Sequence, residues 1–427
     1  MGQANIGRDR PLQLSLPLAN PFEEQAKMMF LHRYVDKSGS LPVTMWSHLC
    51  SLSKHTAAEA SVADSALALT VSAVSLAFFA RTQCQSAVLI IAKDKYMQAL
   101  GKLKIALSST QQSISDQVLL AVMLMGNYEN ITSQCNGPRL SLESFHHMDG
   151  AKALLKLRRE HCREHSRDMS LDKNVRSQII RQAVYRGDAV PMWLRAGELF
   201  GEEDVELELD KYVVQAALIR HDATHCLKAQ PALANVLEIF RRAQTLDMGL
   251  QKWATTMPQE YSYETILTPF SYCGITSTYR SIAHATIWNR YRAVRLVASC
   301  LILKLARFAE RVGYHSVGAG LRAEITQSTI TTQTMVDDIC SSVAFILADI
   351  NAPASACGAF ALSWPLTIAS VVPTIPDTQR EWIRDELRLI SKITSSGIFD
   401  RVASLDLHLR TAPISIDKLE TRAAHQE

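Results

Sequence analysis

From Pro21 onward, apolar side chains return every three or four residues, and almost no stretch alternates between apolar and polar. This period constrains the chain more than any other feature. It puts a stripe on one face of a helix, whereas a half-buried strand needs a period of two. In 92–107, Ala92, Tyr96, Leu100, Leu103 and Leu107 share one face while Lys93, Lys95, Lys102 and Lys104 lie largely off it, which predicts an amphipathic helix over a core. Residues 66–80, ALALTVSAVSLAFFA, are apolar all round and predict a central helix enclosed by others. Ser115 before Asp116 and Gln117 reads as a helix start. Thr378 and Glu381 read as a capping box ahead of the stripe Ile383, Leu387, Ile390. VELEL (205–209) alternates but has no partner strand, and no fixed-period repeat is visible. The 17 glycines in 427 residues are below the usual share of about 7%, as expected where tight turns are few.

These signals predict one large all-α multi-helix domain over 22–402. A polar lead-in at 1–21 precedes it and a tail at 403–427 follows it. Breaks are expected at 130–142, at 158–175 and around Met257-Pro258. Neither of two long uncharged stretches reads as a membrane span. Sixteen residues separate Asp64 from Arg81, and the twenty-seven between Asp349 and Asp377 are interrupted by Pro353, Pro365, Pro373 and Pro376. Both predict buried helices of a soluble core. MGQANIGRDR lacks an apolar leader, and Ile6 stands where a myristoylation site has Ser or Thr.

Charge and cysteine usage exclude several function classes. Lys+Arg total 45 against 42 Asp+Glu, a net +3, too little basic excess for a general phosphate-gripping surface. The cysteines at 50, 84, 135, 162, 226, 273, 300, 340 and 357 form no C-x-x-C pair, which argues against a zinc ribbon, a zinc cluster or a redox motif. Scattered thiols without a leader point to a reducing compartment.

Three motifs invite chemistry, and each has a plainer explanation. His161-Cys-Arg-Glu164-His165 matches the inverted zincin pattern H-x-x-E-H, with Glu198 as a guessed third ligand. Its setting, RREHCREHSRD, is charged on every side, so it reads as a chance match at a solvated helix end. His221 and His225 share the i,i+4 spacing of a metal pair, but nothing brings further ligands to them. Gly318-Ala-Gly320-Leu-Arg-Ala323 imitates a dinucleotide fingerprint, yet the segment before it reads as a helix rather than the required strand. The acidic run Glu202, Glu203, Asp204, Glu206, Glu208, Asp210 reads as a solvated face. The basic run Lys152, Lys156, Arg158, Arg159, Arg163, Arg167 is too diluted by Glu160 and Glu164 for a nuclear-import or DNA-binding patch. No catalytic, cofactor or metal residue is nominated, and no enzyme activity is expected.

Ten segments, in order, carry a resemblance. They are FEEQAKMMFLHRYV (22–35), LPVTMWSHLCSLSKH (41–55), SVADSALALTVSAVSLAF (61–78), KYMQALGKLKIAL (95–107), ISDQVLLAVMLMGNYE (114–129), FHHMDGAKALLKLR (145–158), LDMGLQKWATTMPQEYSY (246–263), SIAHATIWNRYRAVRLV (281–297), and DDICSSVAFIL (337–347) with FALSWPLTIAS (360–370). The chain they mark out resembles the regulatory domain of fungal six-cysteine zinc-cluster transcription factors. The His-x-x-Gly-Ala-x-x-Leu-Leu stretch corresponds to His147, Gly150, Ala151, Leu154 and Leu155, and the Trp-Asn-x-Tyr-Arg core to Trp288, Asn289, Tyr291 and Arg292. The resemblance implies an α-helical regulatory domain, residence in the nucleus (otherwise the cytoplasm), and control of a secondary-metabolite gene cluster. The departure is the DNA-contacting module: the first cysteine, Cys50, already lies inside the regulatory region, so no zinc or DNA ligand carries over.

The expectation is therefore a regulator acting through protein partners, either the transcription machinery or a full-length relative, or through a small-molecule effector. It is not expected to bind DNA directly, to use a cofactor or to sit in a membrane. A homo- or heterodimer is compatible with it, as is a gene whose upstream DNA-binding exon lies outside this chain. The rivals are a helical enzyme acting on a metabolite and an interaction subunit that does not bind DNA. The aromatic residues of the resemblance are expected to pack the core, with an effector pocket between helices as the functional alternative.

Overall fold

The computed structural model describes residues 21–35, 45–52, 61–132, 143–161, 169–228, 232–269, 271–311 and 318–404. Among them the chain is all-α, with fifteen helices and one small hairpin. The first group is α1 (Pro21–Tyr34), α2 (Ser47–Leu52), α3 (Val62–Thr82), α4 (Ser86–Leu107), α5 (Thr110–Ser113), α6 (Asp116–Thr132), α7 (Glu143–His161) and α8 (Ser170–Arg186). Next come α9 (Asp204–Lys228), α10 (Leu233–Thr255), the hairpin β1 (Tyr263–Leu267) and β2 (Ile275–Tyr279), and α11 (Ile282–Arg311). The last are α12 (Gly318–Ile346), α13 (Ser355–Ser370), α14 (Asp377–Thr394) and α15 (Gly397–Ser404).

Two helices organise the packing. The all-round apolar α3 is enclosed by α1, α4 and α6, and the 30-residue α11 by α9, α10, α12 and α13. α13 touches both α1 and α11, so one continuous core runs through the molecule. By length and composition α3 would be able to cross a membrane, but 67% of its most apolar stretch is buried inside the protein. Its start is fixed by a capping box: Ser61 Oγ accepts from the Asp64 amide, and Asp64 Oδ2 accepts from the Ser61 amide. Ser115 caps α6 as predicted, its Oγ accepting from the Val118 amide at 3.3 Å.

An aromatic cluster joins α1 to α13 and α14. Phe30, Tyr34, Trp46, Phe78 and Phe360 lie with ring centroids 4.4–6.2 Å apart, and Tyr34 Oη donates to the Thr394 carbonyl at 2.6 Å. Trp46 and Phe78 belong to two of the segments that carry the resemblance.

Several local expectations need correction. VELEL lies within α9, where Leu209 is buried and Glu208 exposed. The strands occur instead at 263–267 and 275–279, paired Tyr263↔Tyr279 through Leu267↔Ile275. They are invisible to hydropathy because β1 is largely exposed and β2 buries Thr276 and Ser277, the latter bonded to Ser341 Oγ at 2.7 Å. Gly274, at φ +71°, makes the turn. Thr378 and Glu381 form no capping box: α14 starts at Asp377 behind Pro376 with no side-chain cap, and Glu381 pairs with Arg384 at 2.9 Å. Pro365 does not break its helix. It lies buried inside α13, where the lost backbone bond is outweighed by packing. Leu107 is 44% exposed, although Ala92 and Leu103 of its predicted stripe are buried. The helices extend the predicted domain slightly, to Pro21 and Ser404. Gly318 opens α12, so the fingerprint-like glycines begin a helix, and the described element that precedes it is the helix α11 rather than a strand. The loop residues 133–142 and 162–168 lie outside the described residues.

Glu23 fastens α1 to its neighbours. Burial opposes its charge, but the Ser72 hydroxyl at 2.7 Å, Lys95 at 3.0 Å and Lys27 at 3.1 Å together lower its pKa to about 2. A depressed carboxylate stabilises the fold above its unfolded pKa, and that contribution is lost as pH falls through the folded value. Glu23→Gln is therefore expected to cost about 1 kcal/mol near neutrality. Its stability should also fall less steeply than the native protein's between the ordinary carboxylate pKa of 4.5 and about 2. Denaturant titrations at a series of pH values check both.

Candidate functional site

The resemblance-bearing stretch 145–158 forms most of α7. One face is buried through Ala151, Leu154 and Leu155, and a Cβ on Gly150 would reach Val122 of α6 at an ordinary 3.7 Å. At the edge, His147 Nε2 meets Glu129 Oε1 at 2.8 Å, and Tyr96 Oη donates to the same oxygen at 2.8 Å. Tyr96 also stacks on Tyr128 at 4.3 Å. Three separated segments of the sequence thus close on one polar knot.

The adjoining face of α7 borders a shallow surface groove with a cavity volume of about 30 Å³, room for one or two water molecules. Met148, Asp149 and Lys152 form one side, and Ile179, Gln182, Ala183 and Arg186 of α8 form the floor. The opposite wall is the turn 188–194, with Val190, Pro191 and Leu194 facing in. Arg186 pairs with Asp188 at 2.8 Å. Lys152 is half-buried and forms no ion pair among the described residues.

The wall is held by four side chains, of which Arg176 and Arg220 are buried and His221 and Arg195 half-buried. α8 ends at Gly187 in the left-handed region (φ +72°), whose amide and that of Asp188 both donate to the Ala183 carbonyl. His221 Nδ1 bonds the Gly187 carbonyl at 3.0 Å, and Arg220 Nη2 donates to the Tyr185 carbonyl at 3.0 Å. Arg195 Nε donates to the Val190 carbonyl at 3.0 Å, and Arg176 Nε to the Leu194 carbonyl at 2.8 Å.

Arg176 is fully buried and grips Asp210 with both terminal nitrogens, at 2.9 and 2.7 Å, while Arg290 reaches the same carboxylate at 2.9 Å. Glu202 lies beside them, 2% exposed, with no hydrogen bond to either carboxylate oxygen and Lys173 3.4 Å away. Burial holds its carboxyl above the usual range. Only glycine fits at 197, because a Cβ there would lie 2.6 Å from Asp210 Oδ2. Deeper in, burial and the charge of Arg220 push the Lys304 amine down to about 8. Burial pushes the Cys300 thiol up to about 12, which makes it a poor nucleophile.

The Trp-Asn-x-Tyr-Arg residues form a second polar centre. Arg292, 1% exposed, lies over the rings of Tyr263, Tyr279 and Trp288 at 5.1–5.9 Å. It donates to Tyr279 Oη at 2.6 Å and Asn289 Oδ1 at 2.9 Å, and Asn289 Nδ2 donates to Ser342 Oγ. Trp288 and Tyr291 pack with Trp253, so these residues tie the hairpin to α10, α11 and α12.

The motifs weighed in the sequence are not brought together. His161, at the end of α7, is exposed and bonded to the Leu157 carbonyl; Cys162 to His165 lie outside the described residues; Glu198 is exposed on a 3-10 turn. His221 and His225 lie with rings 4.3 Å apart, and His221 is engaged by Gly187. Among the described residues no group of three or more His, Cys, Asp or Glu side chains is placed to hold a metal. The acidic run is not a wholly solvated face, since Glu202 and Asp210 are buried. Nor is the basic run uniformly exposed: Arg158, 1% exposed, is held by Asp172 at 2.5 Å and Asp116 at 2.8 Å. Sequence reasoning passed over Arg176, Arg220, Arg290 and the turn 188–194. Their only sequence signal is charge on an apolar stripe, as where Arg176 follows Val175 and precedes Ile179 and Ile180.

No family model, curated protein sequence or solved structure matches the chain.

Proposed function

We propose that this chain is an α-helical regulatory domain of the fungal zinc-cluster transcription-factor kind, which docks a protein partner at the α7–α8 surface groove. The observation that carries the reading is convergence. Segments far apart in sequence that bear the resemblance meet in the Phe30–Trp46–Phe78–Phe360 cluster, the Tyr96–Glu129–His147 knot and the Arg292 centre. One of these segments also forms a wall of the groove. On this reading the protein works in the nucleus, influences a secondary-metabolite gene cluster, and reaches DNA through a partner. The groove has a wall fixed in part by the buried Arg176 and Arg220, which suits a site whose occupancy is relayed to the core.

The test uses a strain lacking the gene, complemented with the native chain or with Ala189→Trp. Ala189 lines the groove but is exposed, so the indole covers the groove without overpacking the core. The native chain should restore the transcript profile. The variant should fail to do so while keeping native thermal stability. Full restoration by the variant would remove the groove from the account.

A further inference from the structure

We propose that His221 and His225 of α9 form a two-imidazole site for a divalent first-row transition-metal ion, copper(II) most tightly, and that Gly187 ties this site to the end of α8. The two residues stand four apart near the C-terminal end of α9, so their side chains leave one face a single turn apart. Their rings are in contact, with centroids 4.3 Å apart and planes inclined at 57°. A metal bound about 2.0 Å beyond a ring nitrogen lies roughly 3.2 Å from that ring's centre. Two rings meeting it at a right angle therefore have centroids about 4.5 Å apart, whereas a tetrahedral angle needs about 5.2 Å. The observed spacing fits the right angle, which copper(II) prefers, and copper(II) also heads the affinity order of the divalent series. The last turns of a helix favour a bound cation as well.

One ligand is already oriented. His221 Nδ1 lies 3.0 Å from the Gly187 carbonyl, which can only accept, so Nδ1 carries the hydrogen and Nε2 is the basic nitrogen. Metal-ligating histidines usually fix their second nitrogen in this way, which sets the ring and raises its basicity. His225 is exposed, and no hydrogen bond or ion pair engages it among the described residues. Asp222 is held by Arg242 at 2.8 Å, and Cys226 is turned about 100° from His225 around the helix. No third His, Cys, Asp or Glu side chain joins the pair among the described residues, so water completes the shell. Gly187 ends α8 at φ +72°, directly before the 188–194 wall of the groove. A metal on His221 Nε2 polarises the ring and strengthens the bond that holds this turn. The inference does not depend on the function proposed above.

Copper(II) chloride and zinc(II) chloride, titrated separately into the full chain near neutral pH in a non-coordinating buffer, test it by calorimetry. His225→Ala, at an exposed position, should keep the native melting temperature without metal yet bind copper(II) about a hundredfold more weakly. Zinc(II) should need the same residue and bind more weakly than copper(II). The electron paramagnetic resonance spectrum of the native copper(II) form should show two equatorial nitrogens, and His225→Ala one at most. Copper(II) should also slow hydrogen exchange at the Gly187 and Asp188 amides. Equal copper(II) uptake by His225→Ala, as binding at other histidines would give, overturns the proposal. So does a native spectrum with a single nitrogen. Binding that leaves exchange at 187–188 unchanged overturns the link to α8.

Discussion

Asp210→Ala is expected to destabilise the protein by about 3–5 kcal/mol, a large share of the roughly 5–15 kcal/mol that holds a typical domain folded. The carboxylate is completely buried and takes hydrogen bonds from two arginines, Arg176 and Arg290. Removing it leaves Arg176, itself 0% exposed, with Glu202, 3.7 Å away, as its remaining carboxylate, and no hydrogen bond joins the two. A broken buried pair costs more than the pair itself contributes, because the surviving charge keeps its desolvation penalty. Asp210→Asn keeps the shape and some of the hydrogen bonds, so a smaller loss of about 2 kcal/mol is expected. In urea the midpoint should fall for both, with little change in slope if the unfolded state is unaltered. The Arg176 guanidinium also holds the Leu194 carbonyl, so the groove wall should loosen first. Hydrogen exchange across 188–195 would show this.

Arg292→Ala is expected to cost about 3 kcal/mol. The substitution removes a desolvated cation from three aromatic rings and leaves the buried Tyr279 hydroxyl and Asn289 carbonyl without their donor. Arg292→Lys keeps the charge but not the planar fork that serves Tyr279 and Asn289 together, and should lose about half as much. The hairpin pairs only with itself and leans on α12 and α11 through this centre, so it should lose its order in the alanine variant. The Trp253 and Trp288 fluorescence reports the change directly. A native-like midpoint and spectrum would mean that the aromatic residues carry this centre without their cation.

Particular residues show how far the sequence could be read. The all-round apolarity of 66–80 placed α3 at the centre correctly, and Trp288, Tyr291 and the Ile383–Leu387–Ile390 stripe are buried as their spacing predicts. Periodicity reads such features because one repeating property, hydropathy, determines them. The hairpin was not legible, since its buried side chains are Thr276, Ser277 and Tyr279 and its exposed strand includes Ile266 and Leu267. The groove was illegible for a different reason. It depends on Arg176, Arg220 and Asp210, charged residues that any pattern assigns to solvent and that are buried because Arg176 meets Asp210 across 34 positions and Arg220 meets the Tyr185 carbonyl across 35. The acidic run hid Asp210 in the same way. Six of its carboxylates look alike in sequence, while the fold buries two and leaves the rest at the surface.

The account's central claim is regulation, and the most direct measurement compares transcripts and metabolites in a strain lacking this gene with its parent. A regulator predicts that transcripts of a set of biosynthetic genes change together, with their intermediates and product shifting in parallel. Unchanged transcripts beside the accumulation of a single intermediate would contradict the account and make this helical protein an enzyme.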